Sequence, residues 1–119
     1  MIRLWKNCDV YAPAHLGKRD ILILNDKIHL VEKDLSAWEA VPGVEKLDLG
    51  GVVVCPGIVD MHVHVTGGGG EQGPASRVPE IRLTDLTQNG VTTVLGLLGT
   101  DGISRAPEDL LFKCRALDE

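Results

Sequence analysis

A chain of 119 residues has room for about one ordinary domain, and 44% hydrophobic with 24% charged residues is a globular composition that excludes a disordered chain. The formal net charge of −5, without any Lys/Arg-rich run, argues against a nucleic-acid-binding surface. No stretch approaches the roughly 18 unbroken apolar residues of a membrane span.

The chain start and the cysteines indicate the cellular compartment. Polar residues interrupt the apolar positions within the first nine residues, so we expect no secretory signal peptide. Cys8, Cys55 and Cys114 are odd in number, lie far apart and form no Cys-x-x-Cys motif, which is typical of reduced, structural thiols. These features favour a cytoplasmic protein.

Short alternating segments separated by turns make up the first part of the chain. Residues 21–24 predict a strand, Asn25-Asp26 a tight turn, and residues 27–31 a second strand. Residues 45–49 alternate cleanly and stop at two glycines, whereas residues 34–44 show no convincing period and favour a loop or a short helical turn. The pattern predicts a small antiparallel sheet with one face in water.

From residue 52 onward, strands alternate with helices. The sequence predicts strands at residues 58–65 and 92–98, a helix from Pro79 to Asn89-Gly90, and a helix that Pro107 opens. Leu110, Cys114 and Leu117 fall on one stripe of that last helix. Alternation of this kind indicates right-handed βαβ units and a parallel sheet, so the fold class is α/β, with a boundary between residues 51 and 52.

The run Asp60-Met61-His62-Val63-His64 predicts a metal site. Residues two apart on a strand point the same way, so His62 and His64 share one side, with Asp60 in phase. Glycines follow at once, which places the pair at the carboxyl end of the strand, where parallel α/β folds build their sites. Two imidazoles there suit a divalent metal, most naturally zinc. The alternative is a pair of ordinary structural histidines, and for His15 and His29 that alternative is favoured.

The residues that follow the two predicted strands indicate a binding site for a small molecule. Glycines 67–70 allow a close approach of the backbone to a ligand, and Glu71 suits a cationic group such as a free amine; a flexible solvated loop is the alternative. Thr100 follows the second strand, and adjacent parallel strands end together, so we expect it near Glu71 and the histidines. The alternative is that Thr100 and Asp101 only turn the chain.

These same residues resemble a known family. The run PGIVDMHVH is similar to the first-strand signature of the amidohydrolase superfamily. The runs HVHVTGGGGEQGPASRVPE and GVTTVLGLLGTDGISR resemble, within that superfamily, the isoaspartyl (β-aspartyl) dipeptidases. The resemblance spans nearly the whole chain and is strongest from residue 52 to residue 117.

The resemblance implies the N-terminal portion of a binuclear zinc hydrolase that cleaves isoaspartyl dipeptides. Residues 1–51 would be part of a small β accessory domain, and residues 52–119 the first two units of a (β/α)8 barrel. His62 and His64 would bind the more buried of two zinc ions, Gly69, Gly70 and Glu71 would hold the isoaspartyl end with its α-ammonium on Glu71, and Thr100 would add a substrate contact.

The resemblance also implies parts that these 119 residues do not supply. They are the bridging carboxylated lysine, two further histidine ligands, the aspartate general base and the arginines for the substrate carboxylate. We therefore expect no catalytic residue within this chain, no activity of the chain by itself, and a homo-oligomer for the full-length enzyme. Two alternatives remain: a cyclic-amide hydrolase of the dihydroorotase or hydantoinase kind, and a non-catalytic gene fragment.

Overall fold

A computed structural model describes residues 1–119 as two compact units, Met1–Pro56 and Gly57–Glu119. The division falls a few residues after the predicted boundary because Val53–Val54 pairs with a strand of the first unit. The assignment of the two parts to an accessory domain and a barrel stays a prediction. No helix in the structure has the length and apolar character needed to cross a membrane.

The first unit is a five-stranded sheet built around its first strand. The strands are β1 (Ile2–Tyr11), β2 (His15–Leu24), β3 (Lys27–Glu32), β4 (Val44–Asp48) and β5 (Val53–Val54). Their order is β3-β2-β1-β4, and β5 also pairs with β1. A 3-10 segment, Ser36–Ala40, connects β3 to β4.

Two features of the predicted sheet are corrected. The β1–β2–β3 meander is antiparallel as expected, but β4 and β5 both run parallel to β1, so the sheet is mixed. The second face of β2 is also not in water, because Ile21, Leu22 and Ile23 are all buried. Leu22 packs with Leu35, and Trp38 of the 3-10 segment packs against that cluster, so this segment provides a cover that its aperiodic sequence did not predict.

Two residues in the left-handed region shape the first unit. Asn25, at φ 57°, makes the predicted tight turn between β2 and β3. Asn7, also at φ 57°, lies where the pairing of β1 with β2 shifts register. The buried Asp20 carboxylate accepts the Asn7 N–H at 3.1 Å and the Leu35 N–H at 3.0 Å, so it holds this irregularity in place.

The second unit contains two parallel strands, β6 (Ile58–Val63) and β7 (Val91–Gly96), and two helices, α1 (Leu83–Thr87) and α2 (Pro107–Asp118). A 3-10 turn, Pro74–Ser76, lies within the connection from β6 to α1. Pro107 opens α2 as predicted, with the carboxylate of Asp109 accepting the Ala106 N–H at 3.0 Å. The predicted stripe of α2 is half-buried, whereas Leu111 and Phe112 are exposed.

The helix predicted from Pro79 is shorter and begins later than expected. Residues 78–81 instead form backbone hydrogen bonds with the segment that follows β6. The Val78 N–H donates to the Gly68 carbonyl at 2.8 Å, and the Ile81 N–H donates to the Val65 carbonyl at 3.3 Å. Since a backbone N–H that bonds to a distant carbonyl is not available to a helix, α1 starts only where Asp85 caps the Arg82 N–H at 3.0 Å.

Candidate functional site

The two histidines at the end of β6 lie side by side. Residue alternation directs both to one side of the strand, and their Nε2 atoms are 3.2 Å apart, with ring centroids 5.1 Å apart. His62 is exposed, while His64 is partly buried just beyond the last strand residue. The structure therefore brings together the pair that the spacing predicts. Their role as metal ligands stays a prediction.

The separation of the two Nε2 atoms fits a shared metal ion. Two nitrogen ligands at about 2.0–2.1 Å from a tetrahedral zinc lie about 3.3 Å from each other. Zinc binding requires both Nε2 atoms to be unprotonated, which puts the ring proton of each histidine on Nδ1. In the metal-free state, one Nε2–H can donate to the other Nε2 at this distance, so zinc binding would move the proton of the donor ring from Nε2 to Nδ1.

Carboxylates surround the histidine pair. Asp60, two residues earlier on β6, accepts the His62 N–H at 3.1 Å and thus fixes the backbone at the first histidine. An open hollow of about 460 Å³ is lined by Asp60, both histidines, Glu80 and Asp85. No group of three or more His, Cys, Asp or Glu side chains in the chain is arranged to hold a metal ion.

The glycine-rich run forms the first half of a closed loop. The two ends of the loop of residues 68–78 lie next to each other, because the Val78 N–H donates to the Gly68 carbonyl. Gly69 and Gly70 both have positive φ angles, 69° and 103°. The Gly70 N–H donates to the Ser76 hydroxyl at 3.2 Å, so this amide serves the loop itself and is not free for a ligand.

Thr100 lies next to this loop, as predicted from the shared ends of parallel strands. Its Oγ1 is 3.5 Å from the Gly69 carbonyl oxygen. The pKa of the exposed Glu71 carboxyl lies below its ordinary value, first through its own backbone N–H, then through the hydroxyl of Thr100, and less through the nearby His64, while desolvation opposes the change. Glu71 is therefore an ionised carboxylate close to the predicted metal ligands.

A charged cluster behind the loop was missed by the sequence analysis. Asp101 accepts hydrogen bonds from the Ser104 hydroxyl and the backbone N–H groups of Ile103 and Ser104, and its Oδ2 lies 3.1 Å from Arg77 Nε. These donors, Ser104 first, hold the pKa of Asp101 at about 2. Arg105, which is buried, completes the cluster. The run TDGISR contained these residues, but their local pattern indicated only a turn.

The other two histidines lie in the first unit. His15 Nε2 is 2.6 Å from the Asp9 carboxylate, and its ring stacks on Tyr11 at a centroid distance of 4.5 Å. His29 is an exposed residue of β3. These surroundings agree with the structural interpretation of both.

Comparison with known proteins supplies the family. No protein-family model matches the chain. The structure of a β-aspartyl dipeptidase from the thermophilic, keratin-degrading Fervidobacterium islandicum AW-1 is 41% identical, covers 99% of this chain and superposes with a TM-score of 0.90. A second structure of that enzyme, in complex with the β-Asp-Leu dipeptide, gives a TM-score of 0.86 at 41% identity over 99% of this chain and 30% of its own.

This chain is related to the amidohydrolases. It resembles the N-terminal region of those enzymes and spans 32% of the length of the solved dipeptidase. A dihydroorotase from Lactobacillus johnsonii is 42% identical over 64 residues, which are 54% of this chain and 14% of that protein. The L-hydantoinase of Arthrobacter aurescens, at 24% identity and a TM-score of 0.50 over 77% of this chain and 19% of its own, shares the fold alone.

These relatives confirm the predicted family resemblance and the α/β fold class, and the antiparallel β1–β2–β3 meander is the part of the first sheet that agrees with the prediction. These relatives are a dipeptidase, dihydroorotases and hydantoinases, all of which are hydrolases.

Proposed function

We propose that this chain forms the N-terminal, metal- and substrate-binding part of an enzyme that hydrolyses β-aspartyl (isoaspartyl) dipeptides. The observation that carries the proposal is that the loop bearing Glu71 lies against both His64 and Thr100: an added Cβ at Gly68 would lie 3.8 Å from His64 Cβ, and Thr100 Oγ1 is 3.5 Å from the Gly69 carbonyl oxygen. A carboxylate near a metal-binding histidine pair suits a substrate that presents a free ammonium group close to its scissile amide. The similarity to a β-aspartyl dipeptidase, which extends over 99% of this chain, supports this choice of substrate.

His62 and His64 would hold a zinc ion through their Nε2 atoms, as their 3.2 Å separation allows. Zinc would supply Lewis-acid polarisation of a carbonyl and activation of water at neutral pH. Asp60 holds the backbone of His62, so the strand presents the two rings already aligned. A second zinc and its further ligands, expected from the family resemblance, would come from outside these 119 residues.

Glu71 would bind the α-ammonium of the isoaspartyl residue, and Thr100, whose Oγ1 lies 3.5 Å from the Gly69 carbonyl oxygen, would add a further substrate contact. A glutamate carboxyl is charged throughout the neutral range and so would pair with the substrate amine without first losing a proton; the lowered pKa of Glu71 extends its charged form to more acidic pH. The positive φ angles of Gly69 and Gly70 shape the turn that brings Glu71 to this position.

The second candidate function is cyclic-amide hydrolysis, because a dihydroorotase is 42% identical over 64 residues of this chain. Such an enzyme uses the same histidine pair, but its substrate carries no free ammonium for Glu71. The role of Glu71 therefore discriminates between the two candidates.

The test is Glu71→Gln in the zinc-loaded enzyme that carries this chain, with Glu71→Asp as the charge-preserving control. Loss of a charge-assisted contact of about 1.5–3 kcal/mol predicts a KM for β-Asp-Leu that rises on the order of ten- to a hundredfold. The Asp variant should lose less. A wild-type enzyme that is fully metallated and still inactive on β-Asp-Leu, or hydrolysis of dihydroorotate that Glu71→Gln leaves unchanged, would contradict the dipeptidase proposal.

Three further expectations stay predictions: the homo-oligomeric state of the full-length enzyme, its cytoplasmic location, and the inactivity of the isolated chain. Free cysteines throughout the structure suit a reducing compartment and support the location. Size measurement of the purified enzyme in solution would test the first expectation, and a β-Asp-Leu assay of residues 1–119 alone would test the third.

A further inference from the structure

The loop of residues 68–78 is closed at its base by a single side chain. Arg105 Nη1 donates to the Gly68 carbonyl at 3.3 Å, and Arg105 Nη2 donates to the Val78 carbonyl at 3.0 Å. These two carbonyls are the first and the last of the loop. One guanidinium therefore joins the two ends of the loop next to the backbone bond between Val78 N–H and Gly68 O.

Arg105 is held in this position from within the protein. Only 7% of the residue is exposed, which is unusual for an arginine, and its charge is balanced by Asp101 Oδ2 at 3.9 Å from Nη1. Of its five N–H donors, one on Nη1 and one on Nη2 bond to the loop base, while the buried Nε has no hydrogen-bond partner. Gly67 adjoins it so closely that an added Cβ would lie 2.9 Å from Nη2.

The interior of the loop is tied together by a different residue. The Ser76 hydroxyl accepts the Gly70 N–H at 3.2 Å and the Gln72 N–H at 3.3 Å, and it donates to the Gly73 carbonyl at 2.8 Å. Glu71 lies between two of these bonded amides. Residues 70–76, which include Glu71, thus form one hydrogen-bonded segment, and the position of this segment depends on the base of the loop.

We propose that Arg105 is a positioning residue that sets the place of Glu71 by holding the base of the loop. The proposal rests on the proposed function only in assigning the substrate ammonium to Glu71; the fixing of the loop stands on the contacts of Arg105. Arg105 acts through the carbonyls of Gly68 and Val78 and contacts no substrate itself. It makes the loop a preformed wall of the site.

The experiment compares Arg105→Gln and Arg105→Lys with the control Arg82→Gln in the full chain, by residue-resolved amide hydrogen exchange. Arg82 is an exposed arginine paired with Asp85 at 2.9 Å and makes no hydrogen bond or ion pair with residues 68–78. Loss of two bonds from a charged donor predicts about ten- to a hundredfold faster exchange of the Gly70 and Val78 amides in Arg105→Gln. Arg105→Lys keeps the charge without the planar fork and should give an intermediate rise.

Amides of β6, β7 and α2 serve as the internal reference and should change less than about twofold, as should every amide of the control variant. Unchanged exchange at Gly70 and Val78 in Arg105→Gln would overturn the proposal. An equal rise across β6, β7 and the loop would also overturn it, because Arg105 would then support the whole unit and not the loop in particular.

Kinetics of the zinc-loaded enzyme on β-Asp-Leu separate this proposal from the proposed function. A loop displaced by Arg105→Gln predicts a severalfold higher KM with kcat nearly unchanged, since the metal ligands stay in place. Faster loop exchange with an unchanged KM would support Arg105 as the loop anchor and count against Glu71 as the partner of the substrate amine.

Discussion

Replacing Gly67 with alanine tests how closely the glycine-rich connection is packed. An added Cβ at this position would lie 2.2 Å from the Val78 carbonyl oxygen and 2.9 Å from Arg105 Nη2. The carbonyl belongs to the backbone and cannot rotate away as a side chain could. Gly67 also has φ +90°, a conformation that residues with a Cβ rarely adopt, and its N–H donates to the His64 carbonyl at 2.8 Å.

Gly73→Ala provides a matched control for the strain alone. Gly73 has nearly the same φ, +95°, but its added Cβ would meet nothing within 4 Å. Both variants should lose about 1–3 kcal/mol to the backbone conformation. Gly67→Ala adds a steric clash, and such overpacking costs typically about 1–3 kcal/mol. The expected difference in the free energy of unfolding between the two variants is therefore about 2 kcal/mol.

Urea denaturation followed by far-ultraviolet circular dichroism measures this difference, because both helices lie in the second unit. With a denaturant slope of about 1–3 kcal/mol/M, the midpoint of Gly67→Ala should lie about 1 M below that of Gly73→Ala. Since Gly67 is bonded to His64, its substitution should also weaken metal binding, whereas Gly73→Ala should not. Equal midpoints for the two variants would refute the close packing on which this reasoning depends.

Three other outcomes are expected. His62→Ala should weaken Co²⁺ binding to the chain more than about a hundredfold, read from visible absorption, because even loss of an outer-sphere contact costs about 10–100-fold, while His29→Ala should have no effect. Asp20→Ala leaves two N–H groups without their acceptor and should lower the free energy of unfolding by about 2–4 kcal/mol in urea denaturation; Asp20→Asn, which keeps one oxygen, should lower it less. The pKa of Asp101 is lowered from the ordinary 3.8 to about 2, so its ionised form should stabilise the loop above about pH 4, and that contribution should be lost as the pH falls through 2. The protection factors of the loop amides, which correct for the intrinsic pH dependence of exchange, should fall along this course, and Asp101→Asn should reduce that fall.

The sequence predicted the elements whose signals are local. Asn25-Asp26 made the expected turn because an asparagine tolerates positive φ, and Pro107 opened a helix because its fixed φ suits a first turn. The strand β1 was not predicted, since Lys6, Asn7 and Asp9 break its alternation. Its polar residues are accommodated by partners far along the chain, such as Glu39 for Lys6 and Asp48 for the Asn7 side chain, and no local pattern contains that information.

The geometry of the histidine pair also followed from the sequence, because strand alternation alone puts His62 and His64 on one side. The approach of Thr100 to the glycine-rich loop was predictable from one further rule, that adjacent parallel strands end at the same edge. These rules did not indicate which acceptor each backbone N–H of the loop bonds to. The glycines were expected to let the backbone approach a ligand, and the sequence did not indicate that Ser76, six residues later, accepts the Gly70 N–H. A turn residue and a ligand-binding residue look alike in sequence when the acceptor is not known.

Arg105 shows why the support of a site is harder to predict than the site. Its sequence neighbours, a turn before it and a helix after it, give an exposed arginine as the expected outcome. Its partners lie 37 and 27 residues earlier in the chain, and they are backbone carbonyls, which every residue type possesses. No pattern of side chains can mark such a contact. The contact depends on the closed loop, which places the two carbonyls side by side. The two Nη groups of a guanidinium can reach both carbonyls, whereas a single ammonium lacks this planar fork. The Arg105→Lys variant is therefore the sharper test of this reasoning: if its loop amides exchanged as slowly as those of the wild type, charge and not the shape of the guanidinium would hold the loop in place.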